Sequence, residues 1–541
     1  MEVFEIVIAL LLGGAGLAAL ARRMGTPYPA LVAMAGAALA LVPRAPTLVL
    51  DPELALALFV APVLLDAAFD ASQRDLRENW RAVASLALGA VALTIAVVAF
   101  VVHWLVPEMP WAAAIALGAI VAPPDAAAAT AVLKQLRPPH RLLVILEGES
   151  LFNDASALLV YRLAVGATLT GVLSGWSVIP TLLFVTVGSF VLGVALSRVI
   201  LYINTKIEDM ATAVIVQFCG TFAIWMLAER LHLSGILTMV VFAMAISRRA
   251  AEVIPARMRI PSYAVWEVAV FVLNVLAFIL VGFQLKLIVT RLPRAEWSEY
   301  AWVAGAVCAA TIVARIVWVT GAAAFSRWWC RPKADGSPGP KDAVALSPRA
   351  AAVIGWCGMR GTVTLAAALA LPTGSHGGAP FPYRDLILVT AFAVVLGTLV
   401  VQGMTLRPLM NYLNLKDDGQ VEHEVRLARV ETLRAALSAT AECPGAETAE
   451  LVRRRYEVLL RRAEAELSRG KAIEDGGDDD ESSTIWRALT SDAAVIRTAT
   501  VAERQRLTAL RADGTIGDAA FQQIEQELDW EELDLQQLVR V

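Results

Sequence analysis

The sequence predicts an all-α membrane protein: thirteen transmembrane helices in two inverted six-helix repeats, with broken, crossing helices 5 and 12, followed by a cytoplasmic helical tail. Three observations carry this. Of 541 residues, 57% are hydrophobic and only 18% charged, with a mean hydropathy of +0.62, which soluble domains do not approach. The apolar residues gather into runs separated by short charged loops. Two of those runs, seven apart in order, contain helix breakers, as two inverted halves joined by one extra span would produce.

The first apolar segment, Val3 to Ala21, opens with Glu2 and Glu5 and lacks a basic leader, so it reads as a retained span. Its Gly14-xxx-Ala18 pattern permits close helix contact and hence a dimer seam. Tyr28 to Val42 and Leu54 to Phe69 follow; the latter carries Pro62 and Asp66, with Asp70 four residues on and on the same helical face. The fourth and fifth are Ala82 to Val106 and Trp111 to Leu133. Inside the fifth, Ala122-Pro-Pro-Asp125 removes two backbone donors at Pro123 and Pro124, so the helix should unwind at mid-membrane and leave free carbonyls beside Asp125.

The sixth segment, Leu142 to Ala167, holds Glu147-Gly-Glu-Ser-Leu-Phe-Asn-Asp154. Ionised groups at membrane depth cost at least about 2.5–3.5 kcal/mol each, so such a cluster reads as functional. On a helix, Glu147, Ser150 and Asp154 share one stripe with Asn153 beside it, while Glu149 points elsewhere. Oxygen ligands of this kind suit a hard cation, and a carboxylate that holds a cation can hold a proton instead. A plain helix cap at Ser150 and Asn153 is the competing reading, but the apolar run Ala155 to Leu159 continues past them.

Segments seven to eleven run Val178 to Ile203, Met210 to Leu227, Ser234 to Ile246, Tyr263 to Val289 and Tyr300 to Phe325. Glu267 and Arg315 in the last two are read either as an ion pair or as two snorkelling side chains. Asn274 and Gln284 are read as hydrogen-bonding between helices. The twelfth segment, Ala345 to Leu371, sets Gly355, Gly358 and Gly361 around Met359-Arg360, and a permanent cation at the midplane needs an acid. Glu149 is the candidate partner. Leu386 to Leu406 closes the series.

Alternate loops are rich and poor in Lys and Arg, which places the N-terminus outside and the tail in the cytoplasm of a multi-pass protein of the plasma (inner) membrane. The domains are therefore 1–413 in the membrane and 414–541 beyond it. From Met410 on, 27 acids face 17 bases, although the whole chain carries only −4. Helical stretches at Glu422 to Leu437 and Glu447 to Leu467 precede an acidic linker near 470–483 and a final helical pair, Ser491 to Arg511 and Asp518 to Leu538. A regulatory or assembly role, through a ligand or partner, is the expectation for this tail. The five cysteines and five histidines show no disulfide or metal spacing.

These motifs resemble the sodium/proton antiporters of the NhaP/NHE-like branch of the cation:proton antiporter superfamily. The resemblance covers about Met1 to Leu415. It rests on Leu65-Asp-Ala-Ala68, Gly118-Ala-Ile-Val-Ala-Pro-Pro-Asp125, Ile145-Leu-Glu-Gly-Glu-Ser-Leu-Phe-Asn-Asp154, Gly358-Met-Arg-Gly361 and Leu399-Val-Val-Gln-Gly-Met-Thr-Leu406. It implies that Asp154 binds cation or proton, with Asp125 at the crossing, Ser150 and Asp66 as further ligands of a monovalent cation, and Asn153 organising the crossing. Glu149 and Arg360 would form a structural ion pair. It further implies a homodimer in which a six-helix core moves against a dimerisation domain, an elevator-like alternating access. An Asn-Asp pair implies electroneutral exchange of Na+, or Li+, for H+, without another cofactor and without a nucleic-acid partner. Two departures bear on selectivity: Pro124-Asp125-Ala126 replaces the usual Thr-Asp-Pro, and Asp66 replaces a glutamate. They keep K+/H+ exchange open as an alternative. The rival classes are a channel or a sensor signalling through its tail; an enzyme is disfavoured because no nucleophile–base set is present.

Overall fold

The computed structural model describes residues 2–42, 52–125, 128–130, 133, 136, 138–170, 175–291, 297–329, 346–372, 381–415, 419–441, 447–474, 503, 505–510 and 524. Two compact units result, Met1–Asp418 and Gly419–Val541, five residues beyond the boundary drawn at 413.

Helices are the only regular elements among the described residues of the first unit. α1 (Glu2–Met24) ends where Gly25 takes a positive φ of 63°, and prolines at 27 and 29 start α2 (Tyr28–Ala40). α3 (Pro52–Ala55) runs through a π turn, Leu56–Val60, into α4 (Ala61–Asp70); Pro62, which cannot donate, stands just past that π turn. Ser72 caps α5 (Gln73–Glu78) by accepting from the Asp75 N–H. α6 (Trp80–Ala84), a second π turn at Ser85–Ala90 and α7 (Val91–Leu105) form one apolar span. Then come α8 (Trp111–Val121), α9 (His140–Thr170), α10 (Gly175–Asn204), α11 (Met210–Arg230), α12 (Gly235–Val253), α13 (Ala256–Arg291) and α14 (Trp297–Trp329). α15 (Pro348–Trp356), α16 (Thr362–Leu369) and α17 (Arg384–Leu413) complete the unit.

Six helical stretches among the described residues are long and apolar enough to cross a membrane, and two more, α2 and α8, are apolar but short. Large apolar side chains stand outward, among them Trp302 at 79% and Trp104 at 74% exposure, as lipid-facing walls require. Inside, one buried cluster joins α7, α8, the far half of α9, α16 and α17. Another joins α4, α11 and α12 through Leu64, Trp225, Ile236 and Met239. α2 and α13 approach at Gly36 and Gly282, where a Cβ on either would meet the opposing backbone.

Two expectations change here. Gly14 and Ala18 are buried, and a Cβ at Gly14 would overlap Val275 of α13, so this small-residue face is spent inside the chain rather than on a dimer seam. Residues 470–474, expected in the acidic linker, extend the tail helix that begins at Glu447 instead.

The second unit pairs α18 (Gln420–Ala441) with α19 (Glu447–Glu474). Val430 and Ala463 are buried, and Arg429–Glu466 at 3.0 Å and Arg434–Glu464 at 2.8 Å flank the seam. The rest of the acidic linker and most of the final helical pair lie outside the described residues; 505–510 are helical.

Candidate functional site

The two interrupted spans meet. α8 stops at Val121 because Pro123 and Pro124 cannot donate, and five residues, 357–361, separate α15 from α16 without helical structure. The Asp125 N–H donates to the Met359 carbonyl at 2.7 Å, pinning one unwound stretch to the other. Asn153 of α9 is fully buried, and its Nδ2 donates to the Pro124 carbonyl at 3.0 Å, tying the acid-bearing helix to the break.

Arg360 lies inside this crossing with no exposed surface. Its Nε donates to Val121 O at 2.9 Å, its Nη2 to Ala122 O at 3.2 Å and its Nη1 to Gly358 O, while its own N–H donates to Thr398 Oγ1 at 3.0 Å. These carbonyls are orphaned where α8 and α15 end, and helix C-termini carry partial negative charge, so the breaks themselves supply what the guanidinium needs.

The expected Glu149–Arg360 pair does not form. Glu149 instead takes a bidentate bridge from Arg315 of α14, Nη1 to Oε1 at 2.5 Å and Nη2 to Oε2 at 2.8 Å, with both residues at most 2% exposed. Arg315 Nε also reaches Ile354 O at 3.2 Å, and its Cδ occupies the space a Cβ at Gly358 would need. Glu267, the alternative partner for Arg315, stands exposed on α13.

On the other face of α9 lies a cavity of about 290 Å³. Asp154, Ser150 and Glu147 line it from α9, Asp66 and Asp70 from α4, and Pro123, Pro124 and Asp125 from the fifth-span break. Gly361, Thr362 and Thr364 line it from the start of α16, with Tyr28 and Asn274 opposite. Its acids are graded in depth: Asp70 is exposed, Asp66, Glu147 and Asp125 are half-buried, and Asp154 is 7% exposed. The Asp125 carboxylate lies against Gly361, where a Cβ would overlap Oδ2. Asp154 has no salt-bridge partner among the described residues. The cavity thus gathers five carboxylates and several hydroxyls in a largely apolar wall, with Asp154 the most deeply buried of the acids.

Sequence reasoning left Glu147 out of the ligand set although it lies on the Asp154 stripe, and did not single out Thr362 and Thr364. Their signal was available: they follow the twelfth-span break, where the next half-helix must begin. Asn274, read as interhelical, faces the cavity. A second cavity, of about 100 Å³, adjoins the first through Asp66 and Asp70 and is walled by Gln217, whose Oε1 accepts from Ser262 Oγ and Trp266 Nε1.

Residues 6–412 match the model of the family described as sodium/hydrogen exchanger, transmembrane. The chain belongs to that family. Its members are transporters rather than enzymes. This exchanger is 29% identical over 539 residues to an uncharacterized Na(+)/H(+) exchanger of Mycobacterium tuberculosis, covering 95% of this chain and 93% of the other. It is 28% identical over 551 residues to the uncharacterized Na(+)/H(+) exchanger YjcE of Escherichia coli, covering 98% of each. With the sodium, potassium, lithium and rubidium/H(+) antiporter of Bacillus pumilus it shares 30% identity over 436 residues, 77% of this chain and 62% of that one. The solved structure of the sodium proton antiporter MjNhaP1 from Methanocaldococcus jannaschii superposes with a TM-score of 0.58 at 16% identity, over 76% of this chain and all but 1% of the other, a likeness of fold.

Proposed function

We propose that this exchanger moves Na+, or Li+, against H+ in an electroneutral cycle in which the two compete for Asp154. The observation that carries the reading is the contrast on α9: Glu149 is neutralised by a fixed arginine, whereas Asp154 faces an acid-lined cavity with no salt-bridge partner among the described residues. Ionised, Asp154 attracts a dehydrated monovalent cation, with Ser150, Asp125, Asp66 and the threonines of α16 supplying oxygens. Protonated, it becomes neutral and the empty carrier can turn. A bare carboxylate crossing the barrier would bear a large desolvation cost, which discourages uncoupled slippage. Turnover should peak between the pH that keeps the site protonated and the pH that starves it of protons.

The architecture that goes with this mechanism is thirteen spans in two inverted repeats, a six-helix core moving against a dimerisation domain in a homodimer by elevator-like alternating access, the N-terminus outside and the tail in the cytoplasm. The basic-loop pattern supports that orientation, and with it the cavity mouth at Asp70 faces the cytoplasm. A regulatory role for the cytoplasmic tail belongs to the same reading. K+/H+ exchange is the second reading, favoured by the missing hydroxyl before Asp125, the short Asp66 and the roomy cavity.

The deciding experiment is a pH jump across proteoliposomes holding the full chain, with Na+, Li+ and K+ in turn. Saturable Na+- and Li+-dependent proton flux unaffected by membrane potential is expected. A K+ curve lying above the Na+ curve, with half-maximal flux at a lower concentration, would favour the second reading, and no cation-dependent flux would sink both.

A further inference from the structure

α9 is held at both ends, in different ways. At its start, His140 Nε2 meets Asp75 Oδ2 at 3.0 Å and Arg141 Nε donates to Asn79 Oδ1 at 2.8 Å. Nearby, Ser247 Oγ of α12 donates to Phe69 O at 2.6 Å, so this is also the end where Asp70 opens the cavity. Arg162 stands two turns beyond Asp154 in the opposite direction, about 12 Å along the axis. Its Nη2 donates to Glu229 Oε1 at 3.0 Å and Oε2 at 2.8 Å. Glu229 is preset for this. It sits in the last turn of α11, where His232 takes a left-handed φ of 56° and folds the chain back, so that Glu229 Oε1 also accepts the Gly235 N–H that opens α12.

We propose that Arg162 and Glu229 form a latch that closes the end of the ion path remote from the mouth and parts in each cycle; this rests on the exchange reading above. α9 is bound into the crossing by polar ties, Asn153 on Pro124 and Glu149 on Arg315, and meets α4, α11 and α12 through apolar contacts of Val144, Leu151, Ala155 and Leu158, whereas α11 and α12 are joined to one another in the cluster built on Trp225, Ile236 and Met239. The latch therefore spans the two packed groups whose relative motion would turn Asp154. Both side chains are partly exposed, 45% and 36%, so water can replace the bond as it opens, unlike the dry Glu149–Arg315 bridge. These are positioning residues, and neither lines the cavity.

The test uses the full chain in proteoliposomes, with the five native cysteines replaced by alanine and Arg162→Cys combined with Glu229→Cys. A cleavable bifunctional thiol reagent spanning the pair should reduce cation-dependent proton flux to background. Cleavage should restore it, and a monofunctional reagent should leave it. Unchanged flux in the cross-linked protein would overturn the latch, whereas absent flux in the unmodified cysteine-free parent, with native chain also inactive, would refute exchange itself. Arg162→Gln should lower the apparent KM for the cation on the face remote from the mouth and raise it on the mouth side, each about two- to fivefold. The reversal Arg162→Glu with Glu229→Arg should restore both values. KM values shifted equally, or not at all, on both faces of Arg162→Gln would count against the latch, since a purely structural contact has no reason to distinguish the two sides.

Discussion

Two acids five residues apart on α9 have opposite fates. Glu149 is clamped by Arg315 in a site with almost no exposed surface, and Asp154 faces a cavity shared with Asp66, Asp125 and Glu147. The difference teaches what separates architecture from exchange. A buried carboxylate with a fixed guanidinium is neutralised once, during folding, and has nothing left to trade. One whose counter-charge must come through a cavity is neutralised anew by whichever cation arrives.

The largest effect should fall on Asp154. Asp154→Asn keeps the volume but offers neither a charge nor a titratable proton, so cation-dependent proton flux in proteoliposomes should drop by at least about 100-fold while the melting temperature in detergent holds or rises. Retained flux would erase the contrast between the two acids.

Glu149→Gln is the reciprocal experiment. It strands the Arg315 charge in a dry site and should destabilise the fold by about 3–5 kcal/mol, measured by thermal unfolding. Replacing both partners, Glu149→Leu with Arg315→Met, should recover much of that loss. Whatever protein remains folded should keep the native cation KM. A changed KM would mean that Glu149 also belongs to the ion path.

Gly361→Ala tests the cavity wall with a smaller change. Its Cβ would overlap Asp125 Oδ2, so either the carboxylate or the α16 start must shift. Raised apparent KM for the cation with a largely unchanged melting temperature is expected, since the displaced group lines the cavity and not the packed core.

Much of this was legible in the residues. Consecutive prolines and clustered glycines located the two breaks, because loss of a donor and loss of Cβ act locally, and helical phase alone put Ser150 and Asp154 on one face. The partner of Glu149 was not legible. Arg315 and Arg360 are both arginines in late spans, and choosing between them depends on how α14 leans on α9, a long-range matter. Nor did the residues reveal that carbonyls orphaned at two helix ends could hold Arg360 without an acid at hydrogen-bond range. The Gly14 face misled because a small-residue surface fits a helix of the same chain as well as one from a second copy.

Asp209 supplies a third kind of acid and the smallest effect. It lies outside the apolar spans, exposed, as the N-cap of α11, where its Oδ2 accepts from the Thr212 N–H and Oγ1, both at 2.8 Å. The Thr212 backbone hydrogen bond, then its hydroxyl, hold the carboxyl below its ordinary range, so the folded state favours the ionised form. Such a group contributes stability that is present above the unfolded-state carboxylate range and disappears as pH falls through the lowered folded value. Asp209→Ala should therefore lower the melting temperature slightly at neutral pH, and the gap from the unsubstituted protein should narrow on acidification. Flux should respond little at any pH, because this acid is satisfied by backbone and hydroxyl donors that never leave, whereas in the proposed cycle Asp154 depends on a cation or proton that must.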